Sequence, residues 1–273
     1  MSQPVRVGAV LYDPKVATIW EIIADFFAEN GCPIETVFYA TYELQVEALL
    51  GGELDIAWNS PLAWVDAQRR SGDRCRAIAM RDTDQDRVTY IVVRQDSGIR
   101  TLNGLRGKTV AVGAKDSPQA TLIPLALLQR HGLEPGHDIK VQRFDVLVGK
   151  HGDHIGGEKD AFHCLERGEA HASTMLDMNW ESWTRDGTID PTRFSILAKT
   201  DTFDHCVFTV RQNFPQDLER SWLEVLFSMS YDNPAHREMM DLEGLKAWVP
   251  GRTTGFGPLS DAVQRLRFFN EGE

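Results

Sequence analysis

The sequence predicts an α/β protein of two lobes, each a mostly parallel sheet flanked by helices, joined by two hinge strands. Strand and helix periods alternate through the first 85 residues, and a second alternating series begins at Thr109. Spacing of this kind implies βαβ units. No low-complexity tract or flexible linker separates the two series. The strands near residues 90 and 205 then become the crossings, with a ligand expected between the lobes. The implied division is 1–90 plus 205–273 for lobe 1 and 91–204 for lobe 2.

In chain order, Val5 to Leu11 reads as a strand and Lys15 to Asn30 as a helix closed by Gly31. Ile34 to Ala40 is a second strand, and Thr41 to Leu50 an amphipathic helix ending at Gly51-Gly52. The apolar strand Leu54 to Trp58 meets a polar stop, Asn59-Ser60, and Pro61 opens a helix from Leu62 to Arg70. Open α/β sheets hold ligands beyond the carboxyl ends of their strands, so Asn59 and Ser60 are candidate contacts. Arg76 to Met80 is a fourth strand, and the β-branched run Val88 to Arg94 leads into the turn Asp96-Ser97-Gly98. The second series is a strand Thr109 to Val112, a helix Gln119 to His131, a strand Ile139 to Phe144, a helix Lys159 to Arg167 and a strand Ala170 to Met175. A strand from His205 to Val210, a helix from Gln216 to Met229 and a last helix from Ser260 to Phe269 complete the reading.

With 42% hydrophobic and 25% charged residues, the 273-residue chain has the composition of an ordinary globular protein of one or two domains. A net charge of −11 argues against general nucleic-acid binding, which needs a basic face. It leaves room for a small anion at a helix start. Apolar runs such as Leu122 to Leu128 are too short to span a bilayer, so no direct membrane insertion is expected. The opening MSQPVRVGAVLYD lacks a secretory pattern, so the expectation is a cytoplasmic protein, or a periplasmic one if the chain is a mature form. Cys32, Cys75, Cys164 and Cys206 form no C-x-x-C pair and read as free thiols. Neither a P-loop, a nucleophile elbow nor a dinucleotide fingerprint is present, and no cofactor is expected.

Four blocks resemble the phosphonate/phosphite-type substrate-binding proteins of ABC transporters, a branch of the type 2 periplasmic binding proteins. They are VRVGAVLYDPK, TYELQVEALLGGELDIAWNSPLAW, YIVVRQDSGIRTLNGLRGKTVAVGAKDSPQATLIP and GGEKDAFHCLERGEAHAS, covering at least residues 5–175. The resemblance implies the two-lobed type 2 fold, a small-molecule ligand and an ABC permease as partner. It also implies ligand contacts at Tyr42 and Tyr90 and an anion-binding helix start at Ser117, with hinge motion near 90 and 205 closing on the ligand.

The sequence departs from that pattern twice. Ser117, Pro118 and Gln119 stand where the family shows Ser-Thr-Ser, so two hydroxyls and one N–H donor are lost. Glu158 stands where the family shows His after Gly-Gly, and an ionised carboxylate in a dry cleft would repel a phosphonate by several kcal/mol. The ligand is therefore expected to be a zwitterionic or polar metabolite, with Glu158 and Asp177 as a carboxylate pair for an amino group. The candidate ligand-binding residues are Tyr12, Tyr42, Asn59, Ser60, Tyr90, Ser117, Gln119, Glu158, Asp177 and His205.

Other candidates are weaker. His151, His154, His163 and His171 include an H-x-x-H pair, which can supply two ligands to zinc or iron, but they match no metal motif and no metal is assigned. His205-Cys206 pairs a base with a nucleophile, yet strand neighbours point to opposite faces, so direct partnership is not expected. Trp180 and Trp183 are either core packing or an aromatic wall. Two alternatives to transport stay open. One is a cytoplasmic sensor; the other is a cytoplasmic enzyme on the same fold, using Glu158, His154 and His205 as acid/base groups.

Overall fold

The computed structural model describes residues 4–153 and 156–270. The chain divides into two compact units: one runs to Gln85 and takes in Asp204–Gly255, and the other holds Asp86–Phe203 and everything from Phe256 on.

The first crossing follows β1 (Val5–Val10), α1 (Pro14–Glu29), β2 (Ile34–Tyr39), α2 (Tyr42–Gly51), β3 (Ile56–Asn59), α3 (Pro61–Ser71) and β4 (Cys75–Arg81). Next come β5 (Thr89–Arg94), β6 (Thr109–Val112), α4 (Ile123–Arg130), β7 (Lys140–Arg143), α5 (Glu158–Glu166), β8 (Ala172–Leu176), α6 (Asp177–Arg185) and β9 (Phe194–Lys199). The chain then adds β10 (Val207–Arg211), α7 (Gln216–Phe227), α8 (Pro234–Glu243), β11 (Trp248–Pro250) and α9 (Gly257–Arg265).

Local chemistry sets the helix ends near the strand tips. Thr41 and Ser60 accept from the amides of Leu44 and Ala63, satisfying orphan donors at the starts of α2 and α3. Gly52 (φ 85°) and Gly72 (φ 65°) close the same helices in the left-handed conformation.

Unit 1 has the strand order β11-β4-β10-β3-β1-β2, and unit 2 has β7-β6-β8-β5-β9. β1 pairs in parallel with β2 and β3, and β6 with β7 and β8. β10 lies antiparallel between β3 and β4, and β5 antiparallel between β8 and β9. Both sheets are therefore mixed, where the sequence reading expected mostly parallel ones. A parallel neighbour needs a crossover of a dozen or more residues, and the strands that enter straight from a crossing have none. The chain passes between units three times: at Gln85/Asp86 and Phe203/Asp204, just ahead of β5 and β10, and at Gly255/Phe256, just ahead of α9.

An aromatic cluster fills unit 1. The Phe208 ring lies 4.5 Å from Trp58, 4.9 Å from Trp222 and 5.4 Å from Trp248. In unit 2, β5 turns Ile91 and Val93 to one core and Val92 to another, as a period of two requires. Trp183 joins the second of these cores, which settles its role as packing. α9 buries Leu259, Ala262 and Val263 and packs on α4. This final helix thus belongs to unit 2, where the sequence reading put it in lobe 1. Its apolar stripe announced a helix but did not name the surface that receives it.

The four cysteines are free thiols. Among the described residues no helix is long and apolar enough to cross a membrane. Truncating Phe208 to Ala should cost about 3–5 kcal/mol, because the ring is shared by three tryptophans. Urea unfolding followed by tryptophan fluorescence checks this, and a loss under about 1 kcal/mol would mean the cluster repacks.

Candidate functional site

In unit 1, β3 delivers Asn59 at its carboxyl end, buried beneath α2. Gln45 of α2 donates through Nε2 to the Trp58 carbonyl and to Asn59 Oδ1, both at 2.8 Å. Asn59 Nδ2 and Gln45 Oε1 are buried with no hydrogen-bond partner. A buried polar group left unpaired costs about 1–3 kcal/mol, so these atoms mark a place that calls for a polar partner. Ser60 is buried as the N-cap of α3. Tyr42 is buried at the start of α2, and Tyr12 is partly buried against the aromatic core.

A second cluster surrounds His205. The Asp84 carboxylate accepts from Arg81 Nε and Nη2, both at 2.7 Å, and lies 3.5 Å from His205 Nδ1. Burial alone would raise this carboxyl, but the Arg81 charge and a hydrogen bond from His205 outweigh it and hold it at about 2. His205 Nδ1 is also 3.0 Å from Cys206 Sγ. That contact corrects the expectation that the two side chains face apart. Both residues precede β10, which starts at Val207, so strand alternation does not govern them. Cys206 is only 2% exposed, which keeps its thiol away from a substrate. Asp84, His205 and Cys206 offer three metal-type donor atoms within 4.8 Å of one another. Arg81 already engages both Asp84 oxygens, so a cation there would have to displace the guanidinium. His205 Nε2 is buried without a partner.

In unit 2, Ser117 caps a π turn, Pro118–Leu122, that runs into α4. Its Oγ accepts from Ala120 N at 3.1 Å, and its carbonyl accepts from the Thr121 and Leu122 amides. Gln119 donates through Nε2 to the Gly152 carbonyl at 3.1 Å, and its buried Oε1 has no partner. Gly152 (φ 79°) crosses directly over Ser117, where a Cβ would overlap the hydroxyl. Only glycine fits that crossing. Ser117 is fully buried, and its hydroxyl oxygen takes up the Ala120 amide.

Glu158 opens α5 with 0% exposure. Oε1 accepts from Leu176 N at 2.9 Å, and the Asn179 amide contacts Oε2. Burial pushes this carboxyl up to about 8, against the pull of those two donors. At neutral pH it is mostly uncharged. The expected Glu158–Asp177 anionic pair is therefore absent, because desolvation removes one of its two charges. Asp177 begins α6, where Oδ1 accepts from Met178 N and Oδ2 lies 3.6 Å from Arg87 Nη1. Burial raises its carboxyl and Arg87 lowers it. Beside this pair Tyr90 meets Trp180 edge-on, with ring centroids 6.2 Å apart.

Arg87, Asn179, Arg81 and Asp84 escaped the sequence reading. Only Asn179 had a signal there, as part of the Asp177–Trp180 stretch after a strand. Of the four histidines, His163 meets Glu166 at 3.1 Å and His171 Nδ1 accepts from Thr109 N at 3.3 Å. His151 is buried in a left-handed turn (φ 52°), and His154 lies outside the described residues.

Two α/β units with mixed sheets, presenting polar side chains at strand ends, have the architecture of solute-binding proteins. The family model for the ABC transporter, phosphonate, periplasmic substrate-binding protein matches residues 12–258, and the chain belongs to that family. Its function is to bind a small molecule, and its family partner is an ABC permease. The fold is shared by PhnD1 from Prochlorococcus marinus (MIT 9301) in complex with methylphosphonate. The two are 16% identical over 96% of this chain and 98% of that one, with a TM-score of 0.70. XAC2383 from Xanthomonas citri bound to ATP is 18% identical over 100% of both chains, at 0.74. The periplasmic aliphatic sulphonate binding protein SsuA from Escherichia coli is 14% identical over 98% of this chain and 89% of that one, at 0.61. A 32-residue stretch is 59% identical to an uncharacterized protein of Haemophilus influenzae, spanning 12% of this chain and 45% of that relative.

Two outcomes follow from the buried carboxyls. The folded state keeps a proton on Glu158 between its ordinary 4.5 and about 8, where the unfolded chain has lost it. That stabilisation is complete below 4.5 and disappears as pH rises through 8. Glu158→Gln should therefore gain stability relative to the parent from pH 5 to 8, at up to about 1.4 kcal/mol per pH unit. Thermal melts across that range check it, and parallel curves would show Glu158 ionised. Asp84→Asn should cost about 3–5 kcal/mol, since it strands Arg81 without its main counter-charge. Equilibrium unfolding at pH 7 measures this loss.

Proposed function

We propose that the transported ligand is a small zwitterionic or polar metabolite, taken in unit 2 by Arg87, Tyr90, Asp177 and Trp180. The observation that carries this is the Arg87–Asp177 pair. At 3.6 Å it is wider than a charge-assisted hydrogen bond, and it stands beside the Tyr90–Trp180 edge. An ammonium group suits Asp177, an anionic group suits Arg87, and the rings suit a flat or methylated body.

The rival ligand is a phosphonate, since PhnD1 was solved with methylphosphonate. Against it stand an Ala120 amide already taken up by the Ser117 cap, a Ser117 buried beneath Gly152, and a Pro118 that has no N–H to give. The burial of Cys206 and Glu158 supports binding without chemistry. Delivery to a permease and cytoplasmic sensing would use the same ligand class, and cell fractionation distinguishes them.

Calorimetry with phosphate, methylphosphonate, amino acids and betaines tests the reading. The two phosphorus anions should bind with dissociation constants above about 100 µM, weaker than about 5.5 kcal/mol. Asp177→Asn should weaken the best cationic or zwitterionic ligand by at least about tenfold, or 1.4 kcal/mol. Sub-micromolar methylphosphonate binding would overturn the proposal.

A further inference from the structure

We propose a second ligand site within unit 2, selective for an organic anion that carries two or more negative charges on an apolar or planar body. It is the cavity of about 630 Å³ between the β6–α4 loop, α4, the approach to β7 and the turn after α9. That volume lies in the range of small-molecule sites, roughly 300–1,000 Å³. Lys115, Arg143, Arg265 and Arg267 line it with one carboxylate, Glu134. In a chain of net charge −11, such a concentration of cations is a local feature with a local cause.

The pairing of these cations sharpens the case. Arg265 is answered by Asp261 through Nε, and Arg143 stands 4.0 Å from Asp145. Among the described residues, no carboxylate pairs with Lys115 or Arg267. Thr121, only 2% exposed, lines the same cavity and has its Oγ1 buried without a partner. Leu125 and Phe268 add apolar surface for the body of the ligand.

The backbone at Arg267 points the same way. Two residues beyond α9 it adopts φ 52°, a conformation that favours glycine or asparagine after a helix. A bulky side chain is disfavoured in that conformation. An arginine held in a strained position beside a cavity is an observation from which function can be argued. Its guanidinium forks onto phosphate or carboxylate oxygens, with Lys115 as a point charge.

Titration calorimetry on the full chain tests this, with ATP as the probe in the absence of magnesium and inorganic tripolyphosphate as the comparison. ATP should bind saturably, and some binding should persist at about 0.15 M salt, where exposed charges are largely screened. Tripolyphosphate should bind several-fold more weakly, and equal affinity would overturn selectivity for an organic body. The double variant Lys115→Ala/Arg267→Gly should weaken ATP by roughly tenfold or more, while glycine at 267 raises the melting temperature by relieving the backbone. Asp177→Asn should leave ATP binding unchanged, so the outcome is independent of the ligand proposed above. No saturable heat up to about 1 mM ATP, or equal affinity in the double variant, would overturn the site.

Discussion

The Asp84 carboxylate, buried and held ionised by Arg81, is the constraint on which unit 1's end of the crossing depends. Arg81 ends β4 and reaches Asp84 through two 2.7 Å hydrogen bonds. Its Nη1 donates to the carbonyl and carboxylate of Glu243 in α8, and its guanidinium lies 5.3 Å from the Trp58 ring. The Asp84 carbonyl accepts from His205 N at 2.8 Å. Just beyond, Arg87 and Phe203 exchange both backbone hydrogen bonds at 2.8 Å, and Thr200 N donates to the Thr89 carbonyl. In unit 2 the outgoing and returning segments thus pair antiparallel, and in unit 1 the buried carboxylates of Asp84 and Asp204, answered by Arg81 and Arg252, hold the segments at the boundary. Two charges taken out of water need this many partners to offset their desolvation.

The first sheet was easier to read from sequence than the second. α2 and α3 carry side-chain caps at their starts and left-handed glycines at their ends, and β3 is an apolar run closed by Asn59-Ser60-Pro61. β9, α6, α8 and β11 were not read. α6 follows β8 without a single intervening residue, so no turn signal marks the change of period. β11 is three residues long, and β9 mixes buried and exposed positions without strict alternation. The direction of β5 and β10 in their sheets was illegible for another reason. Strand direction depends on the path taken before the strand, while hydrophobic period records only burial.

The candidate site shows the same division. Residue identity pointed to Glu158, Asp177, Ser117 and Gln119, but charge state and access depend on neighbours far along the chain. Glu158 meets Leu176 and Asn179, 18 and 21 residues away, and Asp177 meets Arg87. None of those partners can be inferred from a local motif. His205 and Cys206 make the point at short range, since one residue of strand boundary decides whether neighbours face apart or touch.

The charge we propose for the ligand rests on the pairs that survive folding rather than on a count of acidic residues. A count puts two carboxylates near the start of α6, which would argue for a cation. Burial neutralises Glu158, and Arg87 answers Asp177, leaving one positive and one negative group side by side. At the same time, the start of the π turn before α4 has lost donors to Pro118 and to the Ser117 cap, and the backbone at Gly152 covers it. These changes act in one direction. A dianion has fewer donors at Ser117 and gains no compensating cation at position 158. A molecule carrying both signs would meet a complementary pair whose members are already partly buried, and it would leave neither charge unmatched on binding.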